Sequence, residues 1–440
     1  MEEYFCRGSG NIHAPFERLA NQSPYAMNNP VVIIGAGIVG VSTALWLQRD
    51  GFKVILIDKT GPGEGTSYGN GGILASCSVV PVTGPGLISA APQMLFNPNK
   101  PLFLKWGYLP KLFPWLFKYL RHANASECTR IANALVHIVG DSLTDHQAMA
   151  AGTGAEKWIV PSEYSYVYNN RAAFEADAFG WNLRKSLGFK WEELEGKAFT
   201  DTYKNFAPEL GFAVKMPNHG KITDPGRYVK DLAAHVVAQG GQLIQAEVTD
   251  VVRENGHVTG VRAGGETIKC DAAVVATGVW SKNLAKKLGL TIPLESERGY
   301  HVELWGVNKL PETPVMIVSG KFVATPMEGR LRLAGVVEFG GIDAPRSQAP
   351  IDLLLKNIKA AIPGLTWKDQ QVWMGHRPAT VDSLPVIGEV PGIKGAYLGF
   401  GHHHIGLTGG PKTGRLLSQI IAGRQPNVDT SVYCPSRYAP

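Results

Sequence analysis

The sequence predicts an α/β protein of two domains, one built on a parallel β-sheet and the other of α+β type. Three observations carry this prediction. A strand, a glycine-rich turn, a helix and a second strand follow one another over residues 31–58. Stretches of the same kind return only after residue 220, so the first sheet is assembled from separated pieces. The chain also has 440 residues, more than one hydrophobic core usually organises.

The first stretch, "VVIIGAGIVGVSTALWLQRDGFKVILID", has the order and spacing of a Rossmann-like dinucleotide-binding unit. Gly35 makes the tight turn after the strand, Gly37 lets the backbone approach a pyrophosphate, and Gly40 allows close helix–sheet packing. The free N–H groups at the helix N-terminus favour phosphates. Asp58 ends the second strand and can accept a hydrogen bond from a ribose hydroxyl. We therefore predict dinucleotide binding.

Composition and charge exclude several other classes. The apolar fraction is 44%, and the net charge of +6 is spread without a long basic tract, so we expect no nucleic acid partner. The five cysteines are odd in number and form no C-x-x-C pair, which argues against a disulfide framework or structural zinc and fits a reducing compartment. Residues 1–27 are polar and aperiodic, and we expect a disordered extension outside the fold.

The chain next runs into "GPGEGTSYGNGGILASCS", which is too rich in glycine and small residues for an ordinary helix and suits backbone lying against a bulky ligand. At this point the sequence resembles the FAD-dependent D-amino acid oxidase superfamily, and within it the D-amino acid dehydrogenase branch. The matching pieces occur in family order: residues 35–40, Asp58, "GTSYGNGG", "VVATGVWS", "GHRPATVDSLPVIG" and "GFGHHHIGLTGGP".

The resemblance implies a noncovalently bound FAD, because no cysteine stands in the context that family members use for covalent attachment. It implies an FAD-binding domain of residues 28–90, 220–295 and 375–425, and a substrate domain of residues 91–219 and 296–374. It also implies a set of cofactor-binding residues. These are Gly35, Gly37, Ile38, Val39, Gly40, Asp58, Lys59, Ser67, Asn70, Gly71, Gly72, Ile73, Val248, Ala276, Thr277, Gly278, Trp280, Gly401, His402, Gly406, Leu407 and Thr408.

Two helices are marked by their ends. "DPGRYVKDLAAHVVAQGG" predicts a helix with Asp224 as N-cap, Pro225 in the first turn and glycines past the end. A last helix is predicted from Gly410–Pro411 to Ile421. The family uses this end of the chain to bring N–H groups to the pyrimidine edge of the flavin, where the helix dipole favours negative charge.

For the chemistry, Arg377 is the expected carboxylate-binding residue, because a guanidinium offers a rigid bidentate fork. In the resemblance, the arginine of the "RP" pair holds the substrate carboxylate. His404 is expected to line the pocket and His402 to pack near the isoalloxazine, with His403 pointing away. Tyr300 and His301 are expected to close the pocket or to belong to a structural strand. No metal site is expected, since consecutive histidines do not readily converge on one ion.

Residues 101–123, "PLFLKWGYLPKLFPWLFKYLRHA", allow two interpretations. The stretch packs in the core of the substrate domain, interrupted by Pro110 and Pro114, or it lies on a membrane surface with aromatic residues in the interface. We favour the core because the prolines break a long amphipathic helix.

The expected function is FAD-dependent dehydrogenation of D-amino acids, including D-proline or 4-hydroxy-D-proline. The resemblance implies hydride transfer from Cα to flavin N5 and electrons passed to a quinone or a dye, in a protein that is cytoplasmic or peripheral to the inner face of the cytoplasmic membrane. The alternatives are a sarcosine- or glycine-type oxidase that uses oxygen, and the flavin subunit of a hetero-oligomeric electron-relay complex.

Overall fold

The computed structural model describes residues 27–88, 97, 99 and 101–439, and the expected N-terminal extension lies outside them apart from Met27. The strands are β1 Val31–Ile34, β2 Val54–Asp58, β3 Ile73–Leu74, β4 Leu102–Leu104, β5 Ile159–Tyr168, β6 Glu192–Glu195, β7 Phe212–Ile222, β8 Gln242–Gln245, β9 Val248–Glu254, β10 His257–Ala263, β11 Glu266–Lys269, β12 Ala272–Val275, β13 Leu294–Trp305, β14 Val315–Ile317, β15 Phe322–Met327, β16 Arg330–Phe339, β17 Asp369–Thr380, β18 Val386–Glu389 and β19 Ala396–Phe400.

Eleven α-helices lie between or after these strands in the described part of the chain. They are α1 Ile38–Arg49, α2 Leu109–Leu120, α3 Ala125–Val139, α4 Ser142–Ala150, α5 Arg171–Glu175, α6 Ala178–Ser186, α7 Gly196–Thr202, α8 Pro225–Ala238, α9 Ser281–Lys287, α10 Ala349–Ala361 and α11 Gly406–Ile421.

The smaller main sheet has six strands in the order β18-β19-β12-β1-β2-β8, and all its pairs are parallel except β18–β19. Its central strand β1 is fully buried, which explains the unbroken apolar run "VVII". Helices α1, α8 and α11 share one core with this sheet. The three-stranded antiparallel sheet of β9, β10 and β11 packs on the opposite side. The α/β class is as predicted.

The larger sheet has ten strands, with the path β17-β13-β16-β15-β14-β5-β7-β3 and with β4 and β6 paired at its sides. Helix α10 covers one face of it. The expected domain boundaries run through this sheet: β3 lies within 28–90, and β17 crosses residue 375. The division of the chain into domains therefore stays a prediction.

The aromatic stretch, residues 101–123, forms β4 and α2. The expectation that its prolines interrupt the helix was wrong. Pro110 lies in the first turn of α2, where its missing N–H costs nothing, and the helix continues past Pro114, so the prolines do not break it. One face of α2 packs inward through Leu112, Trp115 and Tyr119. The other face exposes two phenylalanines. Among the described residues, no helix combines the length and apolar character needed to span a membrane.

Candidate functional site

In the described part of the chain, a large cavity lies between the carboxyl ends of the parallel strands and one face of the ten-stranded sheet. Its volume is about 1540 Å³, whereas small-molecule pockets are commonly about 300–1,000 Å³. It runs from the glycine turn after β1 to Arg377 on β17. The cavity therefore has room for a dinucleotide together with a small substrate.

At one end of the cavity, helix α1 presents an uncapped N-terminus. Its N-cap residue Gly37 makes no side-chain cap hydrogen bond, and the N–H of Ile38 donates to Ser67 Oγ at 2.9 Å. The following first-turn N–H groups have no intrahelical acceptor by position. A Cβ on Gly40 would collide with the carbonyl oxygen of Gly35, so glycine is required where the helix crosses the strand. These features fit a pyrophosphate group.

Asp58 has a second role that the sequence did not reveal. Its Oδ2 accepts the Ala36 N–H at 2.8 Å, and its Oδ1 accepts the N–H groups of Thr60 and Gly61 at 2.8 and 3.0 Å. The carboxylate therefore holds two turns at the mouth of the cavity. Oδ2 accepts only one of these bonds, which leaves an acceptor position for a ribose hydroxyl.

The small-residue loop of residues 65–72 is tied to the larger sheet. Arg332 donates to the carbonyl oxygens of Tyr68 and Asn70 at 2.8 and 2.7 Å, and its guanidinium is paired with Glu303 at 2.6 Å. Within the loop, the N–H of Gly72 donates to Asn70 Oδ1 at 2.9 Å. The buried ion pair fixes the loop, so its backbone forms a rigid wall of the cavity.

The last helix corrects our predicted boundary. It begins at Gly406 and not at Gly410–Pro411, so Pro411 lies inside α11. A proline there frees the carbonyl oxygen four residues earlier. That carbonyl, of Leu407, accepts from His146 Nε2 at 2.8 Å, while His146 Nδ1 accepts from the Tyr228 hydroxyl at 2.7 Å. The first turn of α11 is thereby brought to the cavity wall, with its N–H groups available to a flavin.

Arg377, the expected carboxylate-binding residue, lies in the wall of the cavity. Its Nη1 and Nη2 donate to the carbonyl oxygens of Val336 and Gly335 at 3.1 and 3.3 Å. It reaches them across β13 at Gly299, where a Cβ would come within 2.5 Å of its Cζ. No carboxylate of the described residues lies within 4.0 Å of its guanidinium. The fork is held by backbone oxygens and can take an anionic ligand.

Glu297 is a site residue that our sequence analysis did not single out. It pairs with Arg377 in the register of β13 and β17, so the two side chains share a face of the sheet. Glu297 is 3% exposed, lines the cavity and makes no hydrogen bond through its carboxylate within the described chain. Burial raises its pKa, while Arg377 and His404 oppose that rise. A carboxylate in this position can accept a proton.

The three histidines point in different directions. His402 Nε2 donates to Thr413 Oγ1 at 2.8 Å. His403, which we expected to point away, is buried, and its Nε2 accepts the Thr380 N–H at 3.0 Å. His404 is the one with an exposed side chain, and that surface faces the cavity. Enclosure by the protein and the charge of Arg377 lower the pKa of His404 to about 4.

Tyr300 and His301, which were expected either to close the pocket or to belong to a structural strand, both lie on β13, and Tyr300 lines the cavity. The Tyr300 hydroxyl donates a hydrogen bond to Glu338 at 2.6 Å and accepts one from the Ser347 N–H at 3.1 Å, so both its donor and one acceptor position are used within the protein. The His301 ring stacks on Trp373 with centroids 5.2 Å apart, and it does not line the cavity. Their positions on a paired central strand explain this outcome.

Most of the expected cofactor residues do line the cavity. Those that line it are Gly35, Gly37, Ile38, Val39, Asp58, Lys59, Ser67, Asn70, Gly71, Ile73, Val248, Ala276, Thr277, Gly278, Trp280, His402, Gly406, Leu407 and Thr408. Gly40, Gly72 and Gly401 stand behind the wall and shape the backbone there. Residues lining one continuous cavity with two free helix N-termini fit an extended dinucleotide with a fused-ring end.

Comparison with known proteins agrees with this geometry. A family model described as FAD dependent oxidoreductase (DAO) matches residues 30–420. A D-amino-acid oxidase of Bradyrhizobium diazoefficiens is 36% identical, over 93% of this chain and 98% of the relative. A D-amino acid dehydrogenase of Allorhizobium ampelinum is 30% identical over 93% and 98% of the two chains.

Among solved structures, glycine oxidase from Geobacillus kaustophilus superposes with a TM-score of 0.72 at 21% identity, covering 94% of this chain and 99% of that one. That likeness concerns the fold. The family match and the two sequence relatives extend over nearly the whole chain. The protein is accordingly an enzyme with FAD as its cofactor, and it belongs to the DAO family of FAD-dependent oxidoreductases.

Proposed function

We propose that this enzyme is a dehydrogenase that oxidises D-amino acids to imino acids, which then hydrolyse to keto acids. The observation that carries the proposal is Arg377, a guanidinium fork with no carboxylate of the described residues within 4.0 Å, in the same cavity as the first turn of α11. The D-configuration is supported by the two sequence relatives, which are a D-amino-acid oxidase and a D-amino acid dehydrogenase.

Arg377 binds the α-carboxylate of the substrate in this proposal. Its Nη1 and Nη2 are already aligned by the carbonyl oxygens of Val336 and Gly335, so little side-chain entropy is lost when a ligand binds. Burial lowers the pKa of Arg377, yet an arginine side chain stays charged throughout the physiological range. The charge-assisted bidentate contact fixes the substrate and with it the direction of the Cα–H bond.

Glu297 accepts the proton that the substrate ammonium group must lose. Amine oxidation requires a neutral amine, and an amino acid enters mostly as the ammonium form. Glu297 lies opposite Arg377 on the neighbouring strand. An amino acid whose α-carboxylate is bound by Arg377 therefore has its amino group within reach of the Glu297 carboxylate. The raised pKa makes Glu297 a better proton acceptor than an ordinary glutamate.

FAD, when bound, supplies the acceptor for the hydride that leaves Cα. The chain contributes the surroundings of that group: the first-turn N–H groups of Gly406, Leu407 and Thr408, together with the positive end of the α11 dipole. No cysteine lines the cavity within the described residues, and we propose that FAD is held noncovalently. Acid precipitation should release the yellow colour into the supernatant, and colour that stays in the pellet would overturn this point.

The electron acceptor separates two candidate functions. A quinone or a dye as acceptor makes the enzyme a dehydrogenase, whereas oxygen makes it an oxidase, which the name of the 36% identical relative favours. The test is turnover of a panel of D- and L-amino acids with an artificial dye, alongside peroxide release in air. Dye reduction without peroxide supports the dehydrogenase, and stoichiometric peroxide supports the oxidase. Turnover of L-amino acids alone would refute the D-specificity.

A further inference from the structure

The cavity continues from Arg377 along an apolar row of side chains. Ala334, Val323, Met316 and Tyr166 are direct neighbours in the register of β16, β15, β14 and β5, and all four line the cavity. Neighbouring strands are about 4.8 Å apart, so three steps cover about 14 Å. The row is a floor that leads away from the carboxylate-binding end, in the direction that a substrate side chain would take.

A second arginine stands at the far end of this row. Arg184 of α6 is 8% exposed and lines the cavity. Its Cζ lies 5.2 Å from the Tyr166 ring centroid and 4.7 Å from that of Trp181. Its Nε donates to the Cys77 carbonyl oxygen at 3.1 Å, which fixes the orientation of the guanidinium. Its Nη2 is 3.5 Å from the Tyr166 hydroxyl.

Arg184 differs from the other buried arginines of the described chain. Arg298, Arg330 and Arg332 each form an ion pair with a buried carboxylate, at 3.1, 2.5 and 2.6 Å respectively. Arg184 has no carboxylate within 4.0 Å. Asp177 lines the same end of the cavity, but its carboxylate accepts from the Tyr168 hydroxyl at 2.9 Å and forms no ion pair with Arg184.

A buried charge is normally part of a direct ion pair, because leaving it without one is costly. The paired arginines have structural roles between strands and loops. Arg184 and Arg377 share a different arrangement: each is oriented by backbone carbonyl oxygens, has no carboxylate of the described residues within 4.0 Å of its guanidinium, and lines the same cavity. Two such groups at opposite ends of an apolar floor match a ligand with a carboxylate at each end.

We infer that Arg184 binds the distal carboxylate of an acidic D-amino acid whose α-carboxylate is bound by Arg377, so that the preferred substrates are dicarboxylic. This inference rests on the proposed function. A five-carbon dicarboxylate spans about 5 Å between its carboxyl carbons. With a charge-assisted hydrogen bond of about 2.8 Å at each end, it bridges two guanidinium groups roughly 12 Å apart. That span is comparable to the three strand steps between β16 and β5, and it favours D-glutamate.

The test compares D-glutamate with D-norvaline, which has the same carbon skeleton without the distal carboxylate. In the wild-type holoenzyme we expect kcat/KM to be higher for D-glutamate by about 30-fold, in the range of a charged hydrogen-bonded contact. Arg184→Met should remove this preference and leave D-norvaline turnover within a few-fold of wild type. Arg184→Lys should retain part of it. Lys185→Met, which removes an exposed charge from the same helix, is the matched control.

A structural role for Arg184 would lower FAD content, melting temperature and the turnover of both substrates together. If Arg184→Met does not fold, wild-type binding decides: glutarate should perturb the flavin spectrum at a concentration at least tenfold lower than pentanoate. Equal turnover of D-glutamate and D-norvaline, or equal binding of glutarate and pentanoate, would overturn the inference while the proposed function stands. Absence of flavin reduction by any D-amino acid would instead refute the proposed function, and the glutarate comparison would still test Arg184.

Discussion

Glu297 and Arg377 lie directly opposite each other on the antiparallel strands β13 and β17, and both side chains line the cavity. Neither forms a hydrogen-bonded ion pair with the other, although each carries a charge that the other stabilises. One positive and one negative group, a strand spacing apart, match the carboxylate and the ammonium of an amino acid. This pair is the basis of the first two predictions.

Replacing Arg377 should impair substrate binding and leave the cofactor in place. We expect Arg377→Met to lower kcat/KM by about 100-fold, because a charge-assisted contact of about 3 kcal/mol is lost. Arg377→Lys should recover only part of this, since lysine lacks the bidentate fork. Steady-state kinetics with matched FAD content checks the prediction, with exposed Arg346→Met as control. Near-normal kcat/KM in Arg377→Met would refute the assignment.

Glu297 should set the acidic limb of the pH profile. A base acts only when deprotonated, and burial raises the pKa of Glu297, so kcat/KM should rise with pH through a value above the ordinary glutamate pKa. Glu297→Gln should lose this limb, fall by about 100-fold near neutral pH, and recover at high pH, where the substrate amine is neutral by itself. Glu297→Asp should keep the limb.

The matched control for this profile is Glu295→Gln. Glu295 is a buried carboxylate two residues earlier on the same strand, and it accepts from Tyr108 outside the cavity wall. Its replacement should leave the pH profile unchanged. A Glu297→Gln enzyme with the wild-type profile would show that the proton leaves by another route.

Replacing Gly299 should impair substrate binding, because the nearest atoms that a Cβ at this position would meet all belong to the Arg377 side chain. A Cβ at this position would lie 2.5 Å from Arg377 Cζ, so Gly299→Ala must displace the guanidinium. We expect KM to rise about tenfold or more with FAD content unchanged. Gly107→Ala is the control, because a Cβ there meets no atom within 4 Å. An unaltered KM would mean that the Arg377 position is not critical.

Acid should destabilise the protein through its buried neutral histidines. Burial lowers the pKa of His146 to about 4, whereas an unfolded histidine titrates near about 6.5. Stability from this group is therefore present above pH 6.5 and is lost as pH falls toward 4, by about 2 kcal/mol at pH 5. Melting temperatures at pH 7 and 5 test this. His146→Gln should reduce the difference between the two melting temperatures, whereas His137→Gln, at an exposed position, should not. Equal differences in the wild type and in both variants would contradict the prediction.

Local pattern was sufficient to predict the nucleotide-binding end of the molecule. The strand, turn and helix around Gly35 are adjacent in sequence, and Gly40 is required by its contact with the carbonyl oxygen of Gly35, five residues earlier. The helix after Asp224 was predicted with its N-cap for the same reason. The start of α11 was missed because Pro411 is typical of a first turn, and the His146 contact that supports it inside the helix comes from residues far away in the chain.

The catalytic end depends on register between distant strands. Glu297 and Arg377 are separated by 79 intervening residues, and only the pairing of β13 with β17 brings them together. Arg184 and Lys185 are adjacent on helix α6, where Arg184 is buried and Lys185 is exposed. Nothing in the local sequence pattern distinguishes these two cations. Conversely, Tyr300 and His301 lie close to Glu297 in the sequence, but the Tyr300 hydroxyl is hydrogen-bonded to Glu338 and the His301 ring stacks on Trp373.

The central claim is that FAD and the Arg377 site share one cavity in an amino acid dehydrogenase. The most direct test is the visible flavin absorbance of the purified protein, followed without oxygen as D-amino acids and then their L-enantiomers are added. The account predicts a yellow protein whose band bleaches with D-substrates, and an Arg377→Met variant that stays yellow at the same concentrations. A colourless protein that takes up no FAD, or bleaching that does not depend on Arg377, would contradict it.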